Sequence, residues 1–368
     1  MNIIYYQTKT QFENTGDVLI NNALIHELRK YGKLRCNCSQ QIPDEFINEL
    51  EINDEEKMYC KNDVSFSLKI LKNAVKEKKK GNRIYVISGL GHQYGGNFKT
   101  NIKIIISAII FMIFKLFGIK IIKIGSSIGP VTKGMAVAER FRSNFIDAYY
   151  VRDTKSYQLC QEIKINKAKL CPDMSWIYLN HHKSQLNDNN IVTVNLRKSI
   201  LNENDEEYQK KLIETTDIAL NEISKSIKNM RVFFVYQVRR DEEFARTCYE
   251  YFKNKYDCYF NERQILLSNA QTIYSESVFN ISSRLHSLLL GYKYGALPIA
   301  IINKEKHIKI SQTFIDCKID DLIFDINERD IHNLDSVIQN KNERFKSLID
   351  VEKEKCNEIR NILNEIFV

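Results

Sequence analysis

The stretch that decides the fold is Ile281-Ser-Ser-Arg-Leu-His286-Ser-Leu-Leu-Leu-Gly291-Tyr-Lys-Tyr-Gly295-Ala-Leu-Pro298. It begins at the end of an apolar run, residues 278–281, that is typical of a buried strand. The apolar residues that follow have the i, i+3, i+4, i+7 spacing of a helix lying on a sheet: Leu285, Leu288, Leu289 and Tyr292. Arg284 and His286 therefore lie at a strand-to-helix turn, where open α/β sheets bind ligands and helix N-termini favour anions. On spacing alone, a capped helix start with Arg284 in a structural ion pair is an equal alternative.

Length and composition limit the class of protein. A chain of 368 residues is longer than one hydrophobic core usually supports, so we expect two domains. The net charge of +8 comes from lysines spread along the chain, and the run Lys76–Lys80 is typical of a solvated helix face. No basic stripe interleaved with aromatic residues is present, so nucleic acid is not expected as a partner. The charge remains compatible with an anionic substrate or an anionic membrane surface.

The nine cysteines include no C-x-x-C pair. Cys36 and Cys38 are close in the sequence, but no second pair with ligand spacing accompanies them. This favours reduced thiols in a cytoplasmic protein over a disulfide framework or a zinc site. The adjacent His181 and His182 lack ligand spacing and are predicted to be linker residues, so no metal site is expected. The segment Met1–Tyr6 lacks the features of a signal peptide and is predicted as a first strand.

The first half of the chain alternates strands and helices. A strand at 3–6, a loop at 13–17 and a helix at 18–30 open a Rossmann-like unit. A strand at 83–88 follows and ends in a glycine-rich loop, residues 89–96. Because Tyr94 occupies the third glycine position of G-x-G-x-x-G, a dinucleotide site is not supported. The loop is either a close-approach loop for a ligand or a flexible turn.

Residues 102–117 are apolar nearly all round but too few to span a bilayer. Such a helix is either fully buried or pressed against lipid. We favour burial, because the segment leads directly into a strand at 120–124; peripheral membrane contact through 102–117 is the alternative. That strand is expected to end in a glycine-containing turn, residues 125–130.

A strand at 149–151 ends in Arg152-Asp153. The Asp153 carboxylate, or alternatively the Thr154 hydroxyl, is expected to cap the helix that starts at Thr154. The polar residues 181–190 are predicted as an interdomain linker. The second series comprises strands at 191–196, 231–237, 278–281 and 297–302, and helices at 205–228 and 241–254. The pattern predicts an α/β protein with two Rossmann-like domains facing a cleft, over residues 1–180 and 191–330, followed by C-terminal helices at 331–368.

Several motifs occur in the same order as in the polysaccharide pyruvyl transferases, and the chain resembles that family. They are Asn14-Thr-Gly16-Asp17, Gly125-Ser-Ser-Ile-Gly129-Pro130, Val151-Arg152-Asp153 with Ser156-Tyr157, Pro172-Asp173, Ser283-Arg284-Leu-His286 and Gly295-Ala-Leu-Pro298. They extend over roughly residues 10–310, and the ordered set is more specific than any one motif. One departure is Ser88-Gly89-Leu90-Gly91, where the family usually has three glycines.

The resemblance implies a GT-B-like architecture and transfer of a pyruvyl group from phosphoenolpyruvate to a sugar as a cyclic ketal. It implies phosphoenolpyruvate as co-substrate with no other cofactor, and a sugar of a surface polysaccharide, or of its lipid-linked precursor, as acceptor. Ketal formation requires binding of a phosphate and a carboxylate and transfer of protons. Arg284 and Arg197 suit the oxyanions, since a guanidinium binds them bidentately. His286 suits proton transfer at neutral pH.

Further residues are carried over with alternatives. Asp17 is expected to act as a base toward a sugar hydroxyl, and Asp173 is expected to contact the sugar. The alternative for each residue is a purely structural role as a helix cap. Arg152 would meet phosphate or would pair with Asp153. The remaining residues expected to bind substrate are Gly16, Ser126, Ser127, Arg239 and Lys306. Lys309 is the alternative to Lys306 as the family's lysine near phosphate, since the sequence does not fix the register. The N-terminal domain is expected on the acceptor side and the C-terminal domain on the phosphoenolpyruvate side.

Two other functions compete with this one. The first is a glycosyltransferase that uses a nucleotide sugar, although no acidic D-x-D-like or ribose-binding signal stands out. The second is a non-catalytic member of the family that binds a glycan or a membrane partner, against which the retention of Arg284 and His286 argues. The expected location is the cytoplasm, and peripheral attachment to the inner face of the membrane is the alternative.

Overall fold

A computed structural model describes residues 1–8, 10–178, 185–199, 205–328, 331 and 333–368. The chain divides into two compact units. Unit 1 comprises residues 1–12, 20–177 and 355–368, and unit 2 comprises residues 13–19 and 178–354. Of the predicted linker, residues 181–184, including His181 and His182, lie outside the described residues.

Unit 1 is built on a parallel sheet that has eight strands in the described residues. They are β1 (Asn2–Tyr6), β2 (Lys33–Asn37), β3 (Lys57–Met58), β4 (Arg83–Ser88), β5 (Gly91–Gly95), β6 (Lys120–Val131), β7 (Ala148–Val151) and β8 (Ala168–Leu170). The order is β3-β2-β1-β4-β6-β7-β8, and β5 pairs with β6. The central strands are continuous apolar runs, as expected of a parallel sheet covered by helices on both faces.

The helices that accompany this sheet are α1 (Thr15–Leu28), α2 (Asp44–Glu49), α3 (Asp63–Lys79), α4 (Phe98–Leu116), α5 (Lys133–Ser143) and α6 (Thr154–Glu162). Asp153 caps α6, because its carboxylate accepts from the backbone N–H of Ser156 at 2.7 Å. This confirms the predicted capping role of Asp153.

Unit 2 contains a second parallel sheet, with six strands in the described residues. They are β9 (Ile191–Asn195), β10 (Arg231–Phe234), β11 (Asp257–Phe260), β12 (Ser277–Ser282), β13 (Leu297–Ile302) and β14 (Ile323–Asp325). The helices are α7 (Glu206–Ser226), α8 (Glu242–Phe252), α9 (Leu267–Tyr274), α10 (Leu285–Lys293), α11 (Ile308–Asp316), α12 (Asn333–Gln339) and α13 (Lys341–Phe367). All residues of β12 and β13 are buried.

The strand order in unit 2 is β11-β10-β9-β12-β13-β14, which is the doubly wound Rossmann order. The chain builds outward from β9 in one direction and then from β12 in the other. The topological switch point therefore lies between β9 and β12, where ligands bind in open α/β sheets. Arg197 follows β9 and Arg284 follows β12.

The predicted strands agree with the structure in part. The strands predicted at 83–88 and 297–302 match β4 and β13 residue for residue. The predicted turn at 125–130 is wrong, because β6 continues to Val131 and pairs there with β5. Ser126 and Ser127 consequently lie on a strand and not in a turn. The glycines are accommodated within β6, with Gly125 at φ 70° and Gly129 at φ 112°.

The predicted burial of residues 102–117 is correct for only one side of α4. Ile104, Ala108 and Phe114 are buried, while much of the opposite side is exposed. In the part of the chain that the structure describes, no helix is both long and apolar enough to cross a membrane. The predicted C-terminal helices are α12 and α13, and α13 has residues in both units.

Candidate active site

The turn between β12 and α10 is fixed by its own serines. The hydroxyl of Ser282 donates to the carbonyl of Asn195 at 2.6 Å and accepts from the backbone N–H of Arg284 at 3.0 Å. The hydroxyl of Ser283 accepts from the backbone N–H of Arg197 at 2.6 Å. Because these bonds tie the end of β9 to the end of β12, Arg197 and Arg284 start from adjacent backbone positions at the switch point.

The guanidinium of Arg284 is held by Asp241, which lies in the short helical turn Arg239–Asp241 after β10. Arg284 Nε donates to Asp241 Oδ2, and the two side chains form an ion pair. Asp241 is fully buried, and burial lowers the pKa of Arg284 below its usual value. The carboxylate therefore fixes the orientation of a guanidinium that has little freedom to move. Asp241 was not predicted from the sequence, although Arg239, two residues earlier, was.

Positive charge accumulates around this turn. Burial, together with the charges of Arg284 and Arg240, lowers the pKa of Arg197 to about 10. Arg197 still carries its charge at neutral pH. Guanidinium groups that repel one another are stabilised by a bound anion, and each can bind a carboxylate or phosphate bidentately. The cluster is thus suited to an anion with more than one oxyanion group.

Tyr208 and His307 complete the buried wall of this cluster, and sequence analysis identified neither. Burial and the nearby arginine charges lower the pKa of His307 to about 4, so its imidazole is neutral at pH 7. His307 Nδ1 lies 3.1 Å from the carbonyl oxygen of Asn303, and Nε2 lies 3.3 Å from the Tyr208 hydroxyl. Since the carbonyl can only accept, Nδ1 carries the proton and Nε2 accepts from Tyr208. Burial also raises the pKa of Tyr208.

His286 lies on the first turn of α10 and is half-buried. Its neighbour is Gly16, which belongs to the segment 13–19 of unit 2. A Cβ at Gly16 would lie 2.3 Å from His286 Nδ1 and 2.8 Å from His286 Cβ. Only glycine allows the backbone to approach the imidazole this closely, which explains why the sequence has glycine here.

The segment that carries Gly16 is anchored to unit 2 by hydrogen bonds. The hydroxyl of Thr15 lies 3.0 Å from the carbonyl of Gln237 and 2.5 Å from that of Ile265. Asn14 forms an isolated β-bridge with Val238. Asp17 follows on the first turn of α1, half-buried. The structure thus brings the predicted Gly16 and Asp17 to the same region as His286.

Two other predicted residues of unit 2 lie at the rim. Arg239 and Lys306 are exposed and follow β10 and β13. The backbone N–H of Lys306 donates to the side-chain oxygen of Asn303 at 2.9 Å. Both residues are therefore located after strands that flank the switch point.

The remaining predicted residues form a buried polar network in unit 1. Arg152 Nη1 lies 2.9 Å from Asp173 Oδ2, and Arg152 Nε donates to the Ser127 hydroxyl at 2.5 Å. That hydroxyl donates in turn to Asp153 at 2.7 Å. Arg152 is thus paired with Asp173, whereas the sequence alternative paired it with Asp153. Ser126 is buried beside this network on β6.

A second buried charge cluster in unit 1 was not predicted. Lys123 Nζ lies 2.8 Å from Glu139 Oε1, 2.8 Å from the Tyr149 hydroxyl and 2.7 Å from Gln93 Oε1. Burial lowers the pKa of Lys123 to about 8. The pKa of Glu139 falls to about 2, because the charges of Arg142 and Lys123 outweigh its burial. Lys123 lies in an apolar run, but its partners are distant in the sequence, so the sequence alone did not predict the cluster.

The order of the motifs and the geometry of the turn agree with a comparison against known protein families. Residues 14–305 match the family of polysaccharide pyruvyl transferases. The chain belongs to this family. The matched region contains the segment of Gly16 as well as Arg284 and His286. Among curated proteins, no sequence matches the chain.

Solved structures show the same fold at low sequence identity. A glycosyltransferase from Rickettsia africae is 13% identical with a TM-score of 0.56, over 100% of this chain and 97% of that one. The UDP-GlcNAc 2-epimerase from Neisseria meningitidis, bound to UDP-GlcNAc, is 9% identical with a TM-score of 0.52, over 96% and 94%. The epimerase from Methanocaldococcus jannaschii is 11% identical with a TM-score of 0.51, over 92% of each chain. This pyruvyl transferase family member therefore has a GT-B-like fold of two Rossmann-like units.

Proposed function

We propose that the protein transfers a pyruvyl group from phosphoenolpyruvate to a sugar of a surface polysaccharide or its lipid-linked precursor, forming a cyclic ketal. The observation that carries the proposal is the cluster of arginines at the switch point of unit 2, with His286 at the same turn. Phosphoenolpyruvate has a carboxylate and a phosphate joined through one carbon atom, so its recognition requires at least two oxyanion sites close together.

In this proposal, Arg284 and Arg197 bind the carboxylate and the phosphate of phosphoenolpyruvate. Asp241 acts as a positioning residue, because it fixes the guanidinium of Arg284. Arg239 and Lys306 add positive charge at the exposed rim, which favours the approach of a trianionic substrate. The neutral His307 and Tyr208 contribute no charge that would oppose binding.

His286 is proposed as the proton-transfer group. It donates a proton to the methylene carbon, C3, while a sugar hydroxyl attacks C2 and forms the first C–O bond. Asp17 accepts the proton of that hydroxyl. The C2–O bond to phosphate then breaks, and inorganic phosphate leaves with its electron pair and takes up the proton held by Asp17. The second sugar hydroxyl forms the second C–O bond at C2 and gives its proton to the imidazole of His286, which restores both groups. Positive charge that develops at C2 is stabilised by the phosphate and carboxylate held nearby.

For unit 1, we propose that the network of Ser126, Ser127, Arg152 and Asp173 lies at the acceptor-sugar site, where its buried side chains shape the surface that the sugar meets. The ion pair of Arg152 with Asp173 keeps both side chains in place without a net charge. A network of donors and acceptors of this kind suits a neutral sugar better than an anion.

The experiment that tests the proposal is mass spectrometry of candidate acceptors after incubation with the protein and phosphoenolpyruvate. The expected product has gained the mass of pyruvate minus one water, and one inorganic phosphate is released per product. Phosphate release without an altered acceptor, or no reaction with a broad set of glycans, would contradict it.

A binding measurement separates the competing functions. Because a ligand that binds only the native state raises its stability, phosphoenolpyruvate at millimolar concentration is expected to raise the melting temperature. A shift with nucleotide sugars alone would favour a glycosyltransferase. A shift with glycans but neither donor would favour a non-catalytic binding protein.

A further inference from the structure

The outward side of α4 is an apolar surface. Its exposed large side chains are Phe98, Ile102, Ile105, Ile106, Ile109, Met112 and Leu116. They recur every three or four residues, which places them on one side of the helix. Phe98 is 78% exposed, Ile106 51% and Leu116 80%. Single apolar residues are common on protein surfaces. A contiguous apolar patch such as this row is not, and patches of this kind mark interaction sites.

This outward side is not needed for packing within unit 1. The opposite side of α4 contributes Ile104, Ala108 and Phe114 to the interior. Ile104 packs against Met135 and Ala138 of α5. The helix is therefore anchored by one side, and its outward side is available to a partner.

The charged side chains that α4 and α5 themselves expose are positive. Helix α4 contains no acidic residue, and its exposed charges are Lys99, Lys103 and Lys115. Helix α5 adds the exposed Lys133 and Arg140. The acidic residue of α5, Glu139, is buried and paired with Lys123 and Arg142. Lys115 pairs with Asp147, which compensates its charge. Lys99, Lys103, Lys133 and Arg140 still give the rim an excess of positive charge.

We propose that the outward side of α4 docks on a membrane surface that contains anionic lipids. The apolar side chains would enter the boundary between headgroups and acyl chains, and the lysines would contact lipid phosphates. The helix would lie in the plane of the membrane. A second copy of this chain is a poorer occupant, because two copies of the same face would bring their lysine rims together.

The docking does not depend on the chemistry proposed for unit 2. If that chemistry is correct, docking selects the lipid-linked form of the acceptor, because the protein would be concentrated at the surface where that acceptor is held. The two proposals fail separately, since docking is measured without any substrate.

The test is flotation of the full-length protein with vesicles. Binding is expected to vesicles of phosphatidylcholine and phosphatidylglycerol, with weaker binding to phosphatidylcholine alone and weaker binding at high salt. Ile109→Glu is expected to reduce the bound fraction roughly tenfold or more, because it places a charge in the apolar surface. Ile218→Glu on α7 is the matched control, since Ile218 is 42% exposed and Ile109 45%. It is expected to bind like the wild type.

Circular dichroism and melting temperature establish that both variants are folded. Equal flotation of Ile109→Glu and the wild type would overturn the proposal, as would absence of flotation for the wild type. A wild type that sediments as a dimer, does not float and becomes monomeric on Ile109→Glu would also overturn it, by assigning the surface to a second copy. Pyruvyl transfer to a water-soluble acceptor is expected to be unchanged in Ile109→Glu.

Discussion

Gly16 lies against the imidazole of His286, and a methyl group at Gly16 would come within 2.3 Å of Nδ1. The two residues are 270 positions apart in the chain, yet both belong to unit 2. The Gly16 backbone thus sets the position that the His286 ring can adopt.

Gly16→Ala is therefore expected to displace His286 and to lower kcat for pyruvyl transfer by about 10²-fold, since small displacements of a catalytic group have effects of this size. Gly32→Ala is the control, because its methyl group would meet the carbonyl oxygen of Asn2 at 2.4 Å in unit 1. That control should lower the melting temperature more than the activity of the folded protein. Equal kcat for Gly16→Ala and the wild type would show that Gly16 does not position His286 for catalysis.

His286→Ala is expected to lower kcat by about 10²- to 10⁴-fold, the usual contribution of a general acid or base. The melting temperature should be preserved, because His286 is half-buried at the start of a helix. His26→Ala is a suitable comparison, as His26 is paired with Glu51 at the surface of unit 1. Turnover by His286→Ala at the wild-type rate would remove this residue from the mechanism.

Arg284→Lys is expected to abolish the thermal shift caused by phosphoenolpyruvate and to raise KM. Lysine retains the charge but cannot bind a carboxylate bidentately or be fixed by Asp241 in the same way. The matched variant is Arg246→Lys, which changes an exposed arginine paired with Glu262. An unchanged ligand shift in Arg284→Lys would assign the anion site to other residues.

The buried His307 predicts loss of stability in mild acid. Its pKa is about 4 in the folded protein and 6.5 ordinarily, so the unfolded chain binds the additional proton between these values. Stability is fully present above pH 6.5 and falls as the pH drops from 6.5 to 4, by about 3 kcal/mol for this group. His307→Gln should reduce the pH dependence of the free energy of unfolding over that range, as measured by urea denaturation. A slope identical to the wild type would show that His307 is not the group responsible.

The Lys123 cluster predicts strong coupling between two substitutions. Lys123→Met leaves Glu139 charged and buried with fewer partners, and should lower the free energy of unfolding by about 3–5 kcal/mol. Combining it with Glu139→Gln should recover part of this loss. Urea denaturation of the single and double variants measures the coupling. Additive losses would mean that the two side chains do not interact.

Local sequence patterns predicted the elements that are apolar and periodic. The 3.6-residue spacing after Arg284 identified α10, and buried runs identified β4 and β13. Residues 125–130 were misassigned, because glycine, serine and proline are typical of turns, whereas pairing of β6 with β5 and β7 keeps this segment in the sheet. Tertiary pairing outweighs local preference in such strands.

The candidate site could be predicted only in part for a related reason. Arg284 and His286 stand out because they interrupt an apolar stretch. Asp241 is 43 residues from its partner Arg284, and only the order of the parallel strands brings their carboxyl ends together. His307 differs from ordinary histidines through burial and neighbouring charge, neither of which a single sequence displays.

Helix α13 makes unit 1 depend on residues that are distant in the chain. Its last residues pack in unit 1, where the ring of Phe367 lies 5.3 Å from that of Tyr31 and 4.9 Å from that of Tyr85. Unit 1 therefore combines β1 with residues 355–368, which are far from it in the chain. The core of unit 1 is complete only when residues 355–368 are in place, and a fragment that stops at Ile177 would leave these tyrosines uncovered.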